Sequence, residues 1–234
     1  MDGNLKFVLM SDLHIKEYAN VLEPMVDAIN SCDVDLVVVT GDLTHKPSQT
    51  LFDIALTSLN KIKHNVIVIP GDYDCGPLWT QNFGDTYKSL SLKGFDLDFL
   101  DTSYLGHRYA TGWGETLSEE SPDQHDWLIS RLQKNIGKSH IIFSHHPLLV
   151  PKQEVNKSKV YLTNNVRAIY SGHLHTPFMQ SFDYSLVIGS MKNGILTTPM
   201  RYHGNSLFMV VEMSLHGDIR HTPMLIDVKV EHVL

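Results

Sequence analysis

The chain has 234 residues, 42% of them hydrophobic, which is enough to bury a sizeable core as one large domain. Its formal net charge of −7 argues against the broad basic footprint of a nucleic-acid binder, although the local field of a bound metal does not register in that count. Cys32 and Cys75, the two cysteines, give neither a disulfide framework nor a zinc ribbon and suit a reducing compartment. The opening MDGNLKFVLMSDLH has no basic leader or cleavage site, and no window approaches about 18 apolar residues, so the expectation is a cytoplasmic protein without a membrane segment. With no linker in evidence, residues 1–234 are expected to form a single domain.

In chain order, LKFVLM reads as a strand, VLEPMVDAINS as a helix, DLVVVT as a strand, SQTLFDIALTSLNKI as a helix and NVIVIP as a strand. The region WTQNFGDTYKSLSLKGFDLDFL is poorly patterned and is expected at the rim. From Ser121 to Asn135, SPDQHDWLISRLQKN predicts a helix: Ser121 at the N-cap, Pro122 at the first helical position, Gln124 three residues after the cap, and Trp127, Leu128 and Leu132 as an apolar stripe. HIIFSH and VRAIYSG are strands on either side of a second rim segment, LLVPKQEVNKSKV. The pattern then turns to consecutive strands, FDYSLVIGS, SLFMVVEMS and HTPMLIDVKVEHV. The early strands are apolar on both faces and so need cover on both sides. The expected fold class is α/β, a four-layer α-β-β-α sandwich of two mixed sheets flanked by helices.

Each early apolar run ends in residues of metal-ligating type: Asp12 and His14 after VLMS, Asp42 after VVVTG, Asp72 after VIVIPG, His145 after IIFS, and His173 and His175 after AIYSG. Residues two apart at a strand end project to one side, so Asp12 with His14, and His173 with His175, can each grip one ion. Ligands of α/β sheets collect at the carboxyl ends of the strands. Any one of these residues alone reads as a turn, a helix cap or a packed histidine. Five strand ends that place seven donors on one edge do not.

The ordered set SDLH, GDLTH, GDYD, SHHP and GHLH resembles the calcineurin-like metallophosphoesterase family, whose pattern is D-x-H, G-D, G-N-H-D/E, H and G-H-x-H, over residues 10–176. The stretch TLSEESPDQHDWLISRL, the SHHPLL that follows and the late TTPM before LFMVVEM are most similar to the class III cyclic nucleotide phosphodiesterase branch. The resemblance implies two divalent metal ions, manganese first, with iron or zinc as alternatives. Asp12, His14 and His175 would hold one, Asp72, His145 and His173 the other, and Asp42 would bridge them. It further implies a small phosphoester substrate, hydrolysed by in-line attack of a hydroxide generated between the ions, with no protein nucleophile.

The chain departs from the family at Asp72 and Tyr73, where Asn and His are usual. A carboxylate keeps the ligand role and adds negative charge. A phenol of ordinary pKa about 10 is a poor replacement for the imidazole that protonates the leaving oxygen, and loss of such an acid typically costs ~10²- to 10⁴-fold, least for good leaving groups. The candidates for catalytic work are therefore Tyr73, Asp74 and His146, with His203 beside Arg201, His45 and His107 as further histidines that could compensate. The rivals to a phosphodiesterase are a metal-binding interaction module, because a retromer scaffold subunit carries a similar acid-aromatic-acid loop, a nuclease, which the acidic balance disfavours, and a phosphomonoesterase or pyrophosphatase, because the ligand set says little about the substituents on phosphorus.

Overall fold

In the computed structural model, which describes residues 3–17, 20–103, 121–135, 137–148, 165–173, 175, 178–182, 185–189 and 205–227, alternate residues of each early apolar run enter different cores. The first sheet contains parallel strands β1 (Leu5–Met10), β2 (Leu36–Thr40) and β3 (Asn65–Ile69). Val8, Met10, Val37 and Val39 face a helical layer made by a 3-10 turn at Glu23–Met25 with α1 (Val26–Ser31), α2 (Gln49–Leu59) and α3 (Pro77–Phe83). Phe7, Leu9, Leu36 and Val38 face the second sheet, where they meet Phe95, Leu97, Phe143 and Tyr170. Phe7 sits edge-on to both Phe143 and Tyr170, with ring centroids 5.4 Å away in each case.

The second sheet is built from β4 (Lys88–Leu92), β5 (Phe95–Phe99), β6 (Ser139–Ser144), β7 (Val166–Ser171), β8 (Phe178–Phe182) and β9 (Ser185–Gly189), in the spatial order β4-β5-β6-β7-β9-β8. Strands β5, β6, β7 and β9 are parallel, and β4 and β8 are antiparallel edges. Its outer face packs on α4 (Pro122–Lys134) through Leu128, Leu132, Ile142, Val166 and Ile169. The chain then returns to the first sheet as β10 (Asn205–Met213), antiparallel to β1, and β11 (Ile219–Asp227) at the edge. The result is the expected α-β-β-α sandwich of two mixed sheets.

The α4 start behaves as its sequence requires: Gln124 N–H donates to Ser121 Oγ at 3.2 Å, a cap of about 1 kcal/mol. Burial of Leu128 and Leu132 contributes roughly 1.5–3 kcal/mol each. The Gln124 side chain does not close a capping box. Its amide instead clamps the chain just beyond β5, accepting from Asp101 N–H at 2.8 Å and donating to Asp101 C=O at 2.9 Å.

Two expectations are corrected. The supposed rim segment from Trp79 to Leu100 contains the end of α3 and the β4–β5 hairpin, and β5 is buried along its whole length. Its acids Asp96 and Asp98 point under α4, where Arg131 Nε donates to Asp98 at 2.6 Å, His140 Nδ1 lies 2.7 Å from the other Asp98 oxygen, and Asn135 and Lys138 donate to Asp96 at 2.9 and 3.3 Å. Buried charges persist where such partners meet them. FDYSLVIGS is not one strand but the end of β8 followed by β9. His107, Arg201, His203 and residues 149–160 of the second rim segment lie outside the described residues. Among the described residues, no helix is long and apolar enough to cross a membrane.

Candidate metal centre

The five parallel strands that carry the motifs end at Met10, Thr40, Ile69, Ser144 and Ser171, and the residues just beyond them converge. Within the first sheet the loops after β1 and β2 are zipped by backbone bonds: Asp12 N–H to Gly41 C=O at 3.0 Å and His14 N–H to Asp42 C=O at 2.9 Å. In the second sheet Gly172 N–H donates to His145 C=O at 2.9 Å. The sheets are joined across the edge, since His173 N–H donates to the Asp12 carboxylate at 3.1 and 3.2 Å and Asp72 lies 3.0 Å from His145 Nε2.

The backbone is strained where the donors sit. Asp12, His14, Asp42, His173 and His175 all have positive φ, between 45° and 67°, and Lys93 is the other such non-glycine residue among those described. Each such residue costs of order 1–3 kcal/mol unless its surroundings hold it, and strain of this kind gathers at functional sites. Asp and His tolerate the left-handed region better than most side chains. The glycines of the motifs serve close approach: a Cβ on Gly71 would collide with the Asp42 carboxylate and backbone nitrogen, and one on Gly172 would collide with the Ser11 hydroxyl and Asp12.

The donor atoms fall into two groups, each with its atoms within 4.8 Å of one another: Asp12, His14, Asp42 and His175, and Asp72, His145, His146 and His173. In the first, His175 Nε2 is 3.1 Å from Asp12 and 3.3 Å from His14 Nε2. In the second, Asp72 Oδ1 is 3.0 Å from His145 Nε2 and 3.4 Å from His173 Nδ1. Asp42 joins them, because its Oδ2 lies 3.5 Å from His14 Nε2 and 3.5 Å from His145 Nε2. All seven sequence-predicted ligands are therefore brought together, in the grouping the motif implies. Mixed imidazole and carboxylate donors in this packing fit divalent transition ions.

Electrostatics point the same way. Burial and the neighbouring Asp72, Asp12 and Asp74 push the Asp42 carboxyl well above its usual range, against the opposing pull of His145. Burial alone would raise Asp12, but hydrogen bonding to His175 and the charge of His145 bring it down to about 2. His145 is pushed up to about 10: desolvation opposes its charge, and Asp42, Asp72 and Asp12 overcome it. Without a cation, protons hold this cluster of carboxylates together; a divalent ion bound there would displace them. His145 Nδ1 lies 2.9 Å from Thr40 C=O, so Nδ1–H donates there and Nε2 is turned to the site.

The remaining candidates separate. Tyr73 is half-buried over the first group, edge-on to His14 with centroids 5.1 Å apart and stacked on the exposed His45 at 5.6 Å. Its N–H donates to Asp42 Oδ1 at 3.1 Å, and burial, with Asp72 and Asp42, raises the phenol above its ordinary pKa. Asp74 lies behind the site rather than in it: it is fully buried and accepts from Leu43 N–H and Thr44 N–H at 2.7 Å each and from the Thr44 hydroxyl at 2.9 Å. It positions the Asp42 loop. His146 is buried beside the second group, and burial with the charges of His145 and His173 holds its pKa well below the usual imidazole value. Thr102, whose hydroxyl meets His146, was not singled out by sequence, where only its place just after a strand end marks it.

A family model described as calcineurin-like phosphoesterase matches residues 5–177. The chain is 23% identical over 211 residues to a Coxiella burnetii protein named "Probable cyclic nucleotide phosphodiesterase", an alignment covering 79% of this chain and 82% of that one. It is 27% identical over 161 residues to an Arcobacter nitrofigilis protein named a "Probable glycerophosphodiester phosphodiesterase", covering 60% of this chain and 56% of that one. The purple acid phosphatase of yellow lupin shares the fold with a TM-score of 0.61 at 12% identity, over 97% of this chain and 54% of the lupin chain, about half of its length. The match takes in every strand end that carries a donor, from Asp12 to His175, and so the chain belongs to the calcineurin-like phosphoesterases.

Proposed function

We propose that the chain is a metal-dependent phosphodiesterase with two ions held by Asp12, His14, His175, Asp72, His145 and His173 and bridged by Asp42. The observation that carries this reading is the position of Asp42 Oδ2, 3.5 Å from an imidazole nitrogen of each donor group. When bound, the ions supply Lewis-acid polarisation of the phosphoryl group and activation of the attacking water. The chain's own residues do the rest. Tyr73 N–H and the Thr40 carbonyl fix the orientation of Asp42 and His145, and the zipped loops keep the donors at fixed separation before substrate arrives. The Tyr73 phenol, protonated at neutral pH, donates a hydrogen bond toward the phosphoryl or leaving oxygen but surrenders its proton reluctantly. Phosphodiesters with good leaving groups are favoured for that reason.

The similarity to proteins named as probable cyclic nucleotide phosphodiesterases supports a cyclic nucleotide or another small phosphodiester as substrate. Manganese is proposed first, with zinc or iron as alternatives, and a cytoplasmic site of action rests on Cys32 and Cys75 as free thiols. The replacement of the family imidazole by Tyr73 favours one second reading, a metal-binding interaction module with little turnover. Manganese-loaded protein assayed on bis(p-nitrophenyl) phosphate and on cyclic nucleotides separates the two. Hydrolysis that disappears with chelator and falls at least ~100-fold in Asp42→Asn supports the enzyme. No turnover above background with both ions bound refutes it.

A further inference from the structure

The second donor group holds one more imidazole than the sequence motif assigns to it. His146 is 3% exposed and is held through a single hydroxyl: its backbone N–H donates to Thr102 Oγ1 at 2.9 Å, and its Nδ1 lies 3.1 Å from the same oxygen. Ser144 Oγ donates to the His146 carbonyl at 2.9 Å, which fixes the peptide as well. Thr102 in turn follows Asp101, whose backbone the Gln124 amide grips at both ends, so the clamp is anchored in α4. With Nδ1 engaged by Thr102, Nε2 is the ring nitrogen left to join Asp72, His145 and His173. The ring lies 4.3 Å from His173 and 4.9 Å from His145, centroid to centroid.

We infer that His146 Nε2 is a further donor of the second half-site, held in that role by Thr102, so that this half presents three imidazole nitrogens and selects a nitrogen-preferring transition ion. The inference rests on the two-ion reading above. The halves differ in composition: with the bridging Asp42 counted in both, the first sets Asp12 and Asp42 against His14 and His175, whereas the second sets Asp72 and Asp42 against His145, His146 and His173. Carboxylate oxygen suits manganese or magnesium, and imidazole suits zinc, iron, nickel or copper. The second half thus leans further toward a nitrogen-preferring ion such as zinc than the first, which accepts manganese as readily. Tyr73 and His146 also lie on opposite halves, so His146 does not stand in for the imidazole missing at position 73.

The test uses chelator-stripped full-length protein titrated with Zn²⁺ and Co²⁺ by calorimetry, with Co²⁺ absorption as an independent readout of the donor set. Wild type is expected to show two binding events of different affinity for zinc. His146→Gln should weaken one of them at least ~10-fold, leave the other within about twofold, and shift the Co²⁺ bands. Thr102→Val should weaken the same event ~10- to 100-fold, and Thr102→Ser should restore it, a rescue that a packing role for the methyl group would not give. Thr102→Val retains the His146 side chain itself, so the test stands even if His146→Gln folds poorly. Two unchanged binding events and an unchanged Co²⁺ spectrum in either variant overturn the inference and leave the two-ion reading intact; a wild-type chain that takes up no ion overturns both.

Discussion

Replacing Asp74 with alanine tests whether this carboxylate builds the Asp42 loop or serves the chemistry. Alanine deprives the Leu43, Thr44 and Gly71 N–H groups of acceptors now 2.7, 2.7 and 3.4 Å away, while the Thr44 hydroxyl keeps the Lys46 carbonyl at 3.0 Å. Each buried donor left without a partner costs about 1–3 kcal/mol. Burial works against the native residue, because it holds the carboxyl up to about 6 from an ordinary 3.8, and removing the acid relieves roughly 3 kcal/mol of that at neutral pH. The net destabilisation is about 3 kcal/mol, which for a domain of this size lowers Tm by about 6–12 °C. Since the folded-state pKa is raised, the favourable contribution of Asp74 is complete below about pH 3.8 and is lost as pH rises through about 6. The gap in Tm between wild type and Asp74→Ala should therefore be wider at pH 5 than at pH 8. Thermal melts of metal-free protein followed by circular dichroism measure it. A change in Tm below about 2 °C at both pH values, with hydrolysis abolished, would refute the positioning role and return Asp74 to the catalytic groups.

Tyr73→His should raise turnover on alkyl phosphodiesters by ~10- to 100-fold and change aryl substrates much less, because only poor leaving groups need the proton; equal gains on both classes, or none with the ions bound, would contradict the assignment. His145 titrates near 10 in the metal-free protein, so its proton stabilises that form fully below about 6.5 and is lost as pH climbs through about 10. An ion must displace this proton, and apparent metal affinity should rise about tenfold per pH unit between pH 6 and 8, with proton release seen by calorimetry in buffers of different ionisation enthalpy; affinity flat across that range would count against ligation by His145. Gly172→Ala drives a methyl group into Ser11 and Asp12 and should destabilise the fold by about 1–3 kcal/mol and weaken metal binding at least ~10-fold, as read by melts and titration.

Much of the ligand set was legible because the donors follow directly on parallel strands whose apolar runs stand out. Asp12, Asp42, Asp72, His145 and His173 each lie within three residues of a strand end, so the strands and the site were found together. The β4–β5 hairpin was hidden for the opposite reason. Phe95, Leu97 and Phe99 alternate with Asp96 and Asp98, a pattern that suggests one solvated face, yet those acids are buried under Arg131, Asn135 and Lys138, which come from sequence more than thirty residues away. GDYD gives no sign of which carboxylate turns inward; that is decided by the two N–H groups of Leu43 and Thr44 on another strand's loop, which hold Asp74. Thr102 carries no motif at all, and its importance comes entirely from the histidine it meets.

Each donor group draws on both layers of the sandwich: Asp12, His14 and Asp42 with His175, and Asp72 with His145, His146 and His173. Two cations seated there would act as rivets through the open rim of a folder whose pages are β1–β3 and β6–β7. Stripping them would loosen that rim first, so amide exchange should quicken around residues 41–44, 71–74 and 145–146. The far end of the sheets, where Leu5 pairs with Met213, would keep its protection.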